Sequence, residues 1–167
     1  NATLNLSGGV LDITDVPIRI HNSSSYNLTT NITDGTIRTP KSFSVYDAFN
    51  PVGGTLEFYG SGTNNLLMSD QGSALYDLHV NKPSGLVSCT SQSVKISNDV
   101  IIDGGTLGSP DTLYVGGHWT NNAGTYGFYE YTDVVCFYGP GSGDINNEET
   151  FYNLVIDKSY ASYDGLE

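Results

Sequence analysis

The chain has 167 residues, of which 38% are hydrophobic and 14% charged, and this composition excludes both a disordered polypeptide and a membrane-spanning one. Its 18 acidic and 6 basic residues give a net charge of −12, which excludes nucleic acid as a partner because phosphate backbones require a Lys/Arg surface. Membrane insertion is not expected, and anionic membranes are disfavoured by the same charge. Abundant Gly, Ser, Thr, Asn and Tyr with few Lys and Glu is typical of secreted or cell-surface β-proteins.

The predicted secondary structure is all-β. No window of eleven or more residues has the apolar spacing of an amphipathic helix, and Gly or Pro interrupts the chain every few residues. Short, often alternating segments follow one another between turn-forming residues. In chain order these predicted strands are TLNLSG, VLDIT, PIRIHN, SFSVYDAF, TLEFYG, NLLMS, LHVN, GLVSCT, SVKIS, VIID, LYVGG, YGFYEY, VVCFYG and NLVID.

Two parts of the chain repeat each other imperfectly. Residues 74–83 (ALYDLHVNKP) align with residues 150–159 (TFYNLVIDKS), 76 positions later, and GGTLEFYGSG aligns with DVVCFYGPGSG just before them. Further upstream, SGGVLDITDVPIRIHN aligns with DGGTLGSPDTLYVGGHW. The prediction is therefore one all-β domain over residues 1–167, with internal repeats at approximately 7–82 and 103–158 and an insert at 23–50.

Repetition in a fixed order favours a β-solenoid resembling a parallel β-helix, in which each coil buries its apolar face against its neighbours. Equivalent residues of the two repeats would then stack, as Phe58 on Phe137 or Leu78 on Leu154. The alternative is a β-sandwich or jelly roll built from antiparallel hairpins. Few tight Asn-Gly turns are present, whereas Asp-Gly and Asp-Gly-Gly occur where coil corners would lie, and this favours the solenoid.

Cys89 and Cys136 are the two cysteines of the chain. In the VVCF segment, Val135 and Phe137 share one face, so Cys136 is expected to point outward. A disulfide between Cys89 and Cys136 suits an oxidising compartment, but two cysteines do not distinguish a disulfide from two free thiols.

The order of the repeated strand and glycine segments resembles that of repeat units in large secreted bacterial and archaeal surface proteins and adhesins. The shared pattern runs over most of residues 53–158 and reads GGTLxFYG, FYNLxIxK, VxISxDVIIDGGTL, LYVGGHWTNNAG and VVxFYG. The resemblance implies a β-solenoid-like, extracellular and non-enzymatic part. Its motifs mark positions of a fold and carry no chemistry of their own.

No catalytic constellation is evident. Polysaccharide-cleaving β-helix enzymes need carboxylates together with Arg, Lys or His in one cleft, and neither Arg19 nor Arg38 lies near a paired acidic motif. The acidic segments EYTD (130–133) and NNEE (146–149) are interpreted as solvated corners. We therefore predict that the protein is not an enzyme and binds no organic cofactor.

The histidines and the turn aspartates are the candidate metal ligands of the chain. His21, His79 and His118 have no zinc-site spacing and are interpreted as surface residues. Calcium prefers carboxylate and carbonyl oxygens at turns, so a structural calcium ion is the open alternative at four aspartates that we interpret first as turn formers: Asp34, Asp70, Asp99 and Asp103.

Five sequons are clustered in the first 33 residues. An Asn- and Thr-rich segment produces such motifs by accident, and an exposed glycosylated flank produces the same pattern. The glycosylation candidates are Asn1, Asn5, Asn22, Asn27 and Asn31.

These observations lead to one functional hypothesis and an alternative. Repeats, acidity and open strand edges predict a structural subunit of an extracellular filament, sheath or adhesin stalk that assembles end to end with copies of itself. The alternative is a carbohydrate-binding surface module that contacts glycans through exposed tyrosines and Trp119.

Overall fold

The computed structural model describes residues 2–21 and 28–159, and these form a β-solenoid of about seven turns. Every strand pair among them is parallel, from the pairing of β1 (Ala2–Asp12) with β3 (Leu28–Thr39) onwards. The predicted solenoid is therefore confirmed, and the antiparallel sandwich is excluded.

Fifteen strands and one short 3-10 turn make up the described chain. In order they are β1 (Ala2–Asp12), β2 (Ile18–Ile20), β3 (Leu28–Thr39), β4 (Phe43–Val45), β5 (Thr55–Tyr59), β6 (Asn64–Met68), β7 (Asp77–Cys89), β8 (Ser93–Ile96), β9 (Val100–Gly108), β10 (Thr112–Val115), β11 (Trp119–Asn121), the 3-10 turn (Gly124–Tyr126), β12 (Phe128–Tyr129), β13 (Val134–Pro140), β14 (Ile145–Asn146) and β15 (Asn153–Ser159).

The coils wind past three walls. The first wall stacks the ends of β1 and β3, then β5, the starts of β7 and β9, and finally β11 and β14. The second wall stacks β2, β4, β6, the ends of β7 and β9, and β12. The third wall ends with the stack β8, β10, β13 and β15.

The third wall extends back to the start of the chain. The first halves of β1 and β3 pair with each other before their corner glycines. Backbone hydrogen bonds then continue the contacts from coil to coil towards β8: Val52 N to Ile32 O at 3.1 Å, Ala74 N to Phe49 O at 2.9 Å, and Leu75 N to Lys95 O at 2.9 Å. The start of β1 and the whole of β15 thus lie at opposite ends of one wall.

Inward-pointing side chains of successive coils stack in columns and form one core. On the first wall one such column contains Ile37, Leu56, Leu78, Val100 and Trp119, all buried. Because side chains alternate along each strand, every second side chain points into the solenoid. A single coil has no further layer above or below to cover these side chains. Burial therefore depends on the coils above and below.

Glycine marks the corners where a coil comes closest to the next one. Gly85 adopts φ +93°, and a Cβ at this position would lie 2.2 Å from the carbonyl oxygen of Gly62 in the preceding coil. Only glycine fits such a left-handed backbone against another backbone.

The number of residues in one coil is the spacing between paired residues of successive coils, and it is much shorter than the spacing of the sequence repeat. Thr36 pairs with Thr55, 19 positions later, and Ala2 pairs with Leu28, 26 positions later. The described part of the segment predicted as an insert, residues 28–50, contributes β3 and β4 and so forms one more coil.

The predicted stacking of equivalent repeat residues is wrong. Phe58 and Leu78 lie on the first wall, whereas Phe137 and Leu154 lie on the third wall. A spacing of 76 positions is not a whole number of coils, so the second copy falls on a different wall. The shared motif is a strand that ends in a corner, which suits either wall; the glycines that end its two copies, Gly60 and Gly139, both have positive φ.

Lys82 is a buried lysine at a corner of this core. Only 2% of it is exposed, and its Nζ donates to Asn64 Oδ1 at 2.5 Å and to the Tyr59 carbonyl oxygen at 3.4 Å. No described carboxylate forms an ion pair with it, and burial lowers the pKa of its ammonium group from the ordinary value of 10.5.

This burial predicts a pH-dependent stability. Because the pKa of Lys82 is lower in the folded state, the unfolded chain binds more protons just below pH 10.5, and stability should rise with pH up to that value. The Lys82→Met variant lacks this titration, so the wild-type free energy of unfolding should gain on that of the variant between pH 7 and pH 10, measured by urea unfolding. Lys95→Met, a variant of an exposed lysine, is the control and should keep the wild-type pH trend. A wild-type stability that gains on Lys95→Met as much as on Lys82→Met over this pH range would contradict the explanation.

Candidate interaction surface

The strand at the C-terminal end of the third wall exposes side chains that its neighbours bury. Leu154 and Ile156 of β15 are 46% and 62% exposed, whereas their partners Val135 and Phe137 in β13 are 1% and 2% exposed. All four belong to the inward-pointing columns of this wall. β15 pairs only with β13 among the described strands, so its outer edge leaves backbone groups unpaired.

The opposite end of the same wall is also open. β1 pairs only with β3 within the described residues, which leaves its other edge free. Leu4 and Leu6 of β1 are partly buried and pack against the core. They alternate along the strand as Leu154 and Ile156 do. Each end of the third wall therefore carries an unpaired strand edge and two inward-pointing aliphatic side chains.

An aromatic cluster fills the interior just before the C-terminal end. The Trp119 ring lies 4.8 Å from that of Phe128 and 5.5 Å from that of Phe151, and Phe151 lies 6.1 Å from Phe137. Glu149 holds the indole, because its Oε2 accepts a 2.9 Å hydrogen bond from Trp119 Nε1. The cluster anchors the segment that leads into β15.

Trp119 itself is not a surface residue. It is fully buried, so the predicted contact of Trp119 with a glycan is wrong. The sequence alone did not reveal this, because its flanking glycines and asparagines suggest an exposed turn. Exposed tyrosines near this end include Tyr126, Tyr129, Tyr131 and Tyr152.

The aspartates considered for calcium serve as hydrogen-bond acceptors at turns. Asp34 accepts from Gly35 N at 2.7 Å, and Asp99 accepts from His118 N at 2.7 Å. Asp70 accepts from Ser73 Oγ at 2.9 Å, and Asp103 accepts from Asn122 Nδ2 at 2.7 Å. Hydrogen bonds from Asn122 and His79 lower the pKa of Asp103 despite its partial burial.

No group of three or more His, Cys, Asp or Glu side chains suited to a metal ion occurs within residues 2–21 and 28–159. Each histidine instead faces an aspartate of the next coil. These pairs are His21 Nδ1 with Asp47 Oδ2 at 3.1 Å, His79 Nε2 with Asp103 Oδ2 at 2.8 Å, and His118 Nδ1 with Asp144 Oδ2 at 3.2 Å.

The two cysteines are free thiols, so the disulfide considered between them is not formed in this structure. Cys89 belongs to the interior of the second wall, and burial raises the pKa of its thiol to about 12. Cys136 alternates with Val135 and Phe137 on the third wall and stays outside the core cluster, yet neighbouring groups leave only 6% of it exposed. Burial and the nearby Asp157 raise the pKa of its thiol.

Two of the sequon asparagines lie side by side. Asn5 of β1 pairs with Asn31 of β3, and both are exposed on the outer surface. The other three candidates, Asn1, Asn22 and Asn27, lie outside the described residues.

The acidic corners hold backbone and side-chain donors. Glu130 accepts a hydrogen bond from Tyr152 N, and Glu149 accepts from Trp119 Nε1, from Asn121 Nδ2 and from Thr150 N. Apart from the local bond of Thr150 N, these bonds tie the last described coil to the one before it.

No protein-family model matches the chain, and searches of curated proteins and of solved structures find no match. Among residues 2–21 and 28–159 no helix is long and apolar enough to cross a lipid bilayer.

Proposed function

We propose that this protein is a structural subunit of an extracellular filament, sheath or adhesin stalk, and that its copies assemble end to end through strand edges. The observation that carries the proposal is the exposure of Leu154 and Ile156, which belong to columns buried everywhere else along the last coils of the third wall. Exposed apolar side chains beside an open strand edge favour addition of another strand.

The occupant we propose for this edge is the β1 strand of a second copy. Parallel stacking of β1 on β15 places Leu4 and Leu6 in line with Leu154 and Ile156, which continues both inward columns across the junction. The contact is heterologous, because the two ends differ, and such contacts repeat into open filaments unless a rotation closes them.

The energetics of the junction favour assembly in the presence of salt. Burying one Leu or Ile side chain contributes roughly 1.5–3 kcal/mol, and the strand edges add backbone hydrogen bonds. The net charge of −12 opposes association of like copies. At about 0.15 M salt the screening length is about 8 Å, so this repulsion is weakened while the apolar contact remains.

An extracellular setting is proposed from composition and from the resemblance to surface-protein repeats. A charged fraction of 14%, abundant Thr, Ser, Asn and Tyr, and sequon asparagines exposed at Asn5 and Asn31 suit such a setting.

Sedimentation velocity and electron microscopy test the assembly. We expect the wild-type protein to form rods at about 0.15 M salt, more strongly than at low salt. The double variant Leu154→Lys/Ile156→Lys should weaken association by about 100-fold or more, since two apolar burials are lost.

Val155→Lys is the matched control. Val155 lies between these two residues on the opposite face of β15, and it is also exposed. It receives the same new charge without entering the junction core, so rods should persist. A wild-type protein that remains monomeric under these conditions, or equal assembly by the double variant, would overturn the proposal.

A further inference from the structure

One strand pair inside the solenoid is built from the same sequence elements as the two open strands of the third wall. In this pair β9 covers β7 of the preceding coil, with Leu78 paired to Val100 and Val80 paired to Ile102. All four side chains are fully buried. The pair shows how the inward columns continue when one strand covers another.

Beyond these residues the two strands form a tight corner in which two glycines cover a lysine. A Cβ on Gly104 would lie 2.5 Å from the Lys82 carbonyl oxygen, and a Cβ on Gly105 would lie 2.8 Å from Lys82 Cβ. Gly105 also has φ +73°, in the left-handed region. A larger residue at either position would push the coils apart, so this corner requires glycine.

β15 carries the sequence of the covered strand. The segment LVIDK (154–158) aligns with LHVNK (78–82), which puts Lys158 in the place of Lys82. The Nζ of Lys158 donates to the Gly116 carbonyl oxygen at 2.5 Å. Lys158 is nevertheless only half-buried, whereas Lys82 is buried. The difference arises because β9 covers β7, while no described strand covers β15.

β1 carries the sequence of the covering strand. The segment LNLSGG (4–9) aligns with VIIDGG (100–105). Gly9 has φ +75°, which matches the +73° of Gly105, so the two corners share a backbone conformation. A Cβ on Gly8 or Gly9, however, would meet no atom of the described residues within 4 Å. β1 therefore presents the same pair of glycines with open space where β9 contacts its neighbour.

We propose that Gly8 and Gly9 of one copy form the binding site for the Lys158 corner of the next copy, and that this contact fixes the register of the junction. The inference rests on the proposed end-to-end assembly and adds its specificity. The strand that β15 recognises has two alternating aliphatic residues followed, after one spacer, by two glycines.

Registers shifted by two residues keep the same side chains inward but lose this fit. A shift in one direction would place Leu6 over Lys158, where the internal corner leaves no room for a Cβ. A shift in the other direction would place glycine beside Ile156 and leave that side chain without an aliphatic partner. The glycine pair thus selects one register among those that the alternation permits.

Engineered disulfides test the register. Asn5 and Val155 would be directly paired, about 4.8 Å apart, which suits a disulfide. The background is Cys136→Ala, because Cys136 pairs with Val155 inside one chain. We expect Asn5→Cys/Val155→Cys to give a ladder of covalent multimers on a non-reducing gel. Thr3→Cys/Val155→Cys and Ser7→Cys/Val155→Cys correspond to the shifted registers and should give none, because two residues along a strand exceed disulfide reach.

Gly9→Ala tests the glycine site itself. In the isolated chain the added methyl group adds only backbone strain, whereas at the junction it would meet Lys158. We expect association to weaken roughly tenfold or more, as for overpacking of a close contact. Gly62→Ala is the matched control, because Gly62 also has positive φ and open space for a Cβ but lies at a corner between described coils. It should leave association unchanged.

Electron microscopy of the same samples separates this inference from the proposed assembly. Rods with cross-linking confined to the Asn5 variant support the register. Rods with cross-linking at Thr3 or Ser7, or at none of the three positions, would refute the register while end-to-end assembly stands. Rods of Gly9→Ala that form as readily as those of Gly62→Ala would do the same. A wild-type protein that forms no rods would refute both.

Discussion

Gly85→Ala should destabilise the protein more than other single-methyl additions at a corner. The new Cβ would lie 2.2 Å from Gly62 O and 2.7 Å from two further backbone atoms of Gly62, so one coil must move away from the next. Left-handed strain for an L-residue costs roughly 1–2 kcal/mol and forced overpacking roughly 1–3 kcal/mol more. We expect a total loss of about 3 kcal/mol or more in the free energy of unfolding, measured by urea denaturation.

Gly62→Ala separates the two contributions. Gly62 has φ +97°, close to the +93° of Gly85, but a Cβ there would meet no atom within 4 Å. Its substitution should cost only the backbone strain, roughly 1–2 kcal/mol. Equal losses for the two variants would show that coil contact at Gly85 does not limit the stacking distance.

Trp119→Ala should remove the centre of the aromatic cluster. The side chain is fully buried against Phe128 and Phe151, and replacing a buried aromatic residue by alanine typically costs about 3–5 kcal/mol. Phe151 precedes β15, so we also expect Trp119→Ala to raise the rate of amide hydrogen exchange, relative to the wild type, more in β15 than in β10. Circular dichroism during urea unfolding and exchange measured by mass spectrometry check the two effects.

Trp119→Phe is the control for the hydrogen bond. It retains a ring in the cluster but loses the 2.9 Å bond from Nε1 to Glu149, which a charged acceptor makes worth roughly 1.5–3 kcal/mol. Stability should therefore lie between those of the wild type and Trp119→Ala. A Trp119→Phe protein as unstable as Trp119→Ala would mean that the hydrogen bond, and not ring packing, secures this end of the solenoid.

Local sequence patterns predicted the class of fold correctly but assigned equivalent strands of the two repeats to the same wall, which was wrong. Alternation in TLEFYG and VVCFYG indicated strands that end at a corner, and Gly60 and Gly139 adopt the positive φ expected of such corners. The same alternation is found on all three walls, so it did not reveal that Phe58 and Phe137 lie on different ones. Wall assignment depends on the summed length of the intervening loops, which vary from coil to coil.

The candidate surfaces were predictable only in part. Open strand edges followed from the expected solenoid, and the exposed Leu154 and Ile156 agree with that expectation. A cleft at the end of the second wall was not foreseen, because Thr125 and Glu148, which line it, are separated along the chain and come together only where that wall ends. Trp119 was predicted to be exposed because its neighbours in the sequence are polar or small, but its side chain is buried.

The sequence by itself determined the strand content, the acidity and the positions of the corners, because alternation, charge and glycine act over a few residues. Tertiary structure alone decided which strand lies on which wall, which side chains the next coil covers, and where the last coil leaves columns open. These outcomes depend on contacts between residues 19 to 26 positions apart, as in Thr36 with Thr55 and Ala2 with Leu28. The partner of each strand depends on how many residues the whole coil contains, and a local sequence pattern carries no information about that number.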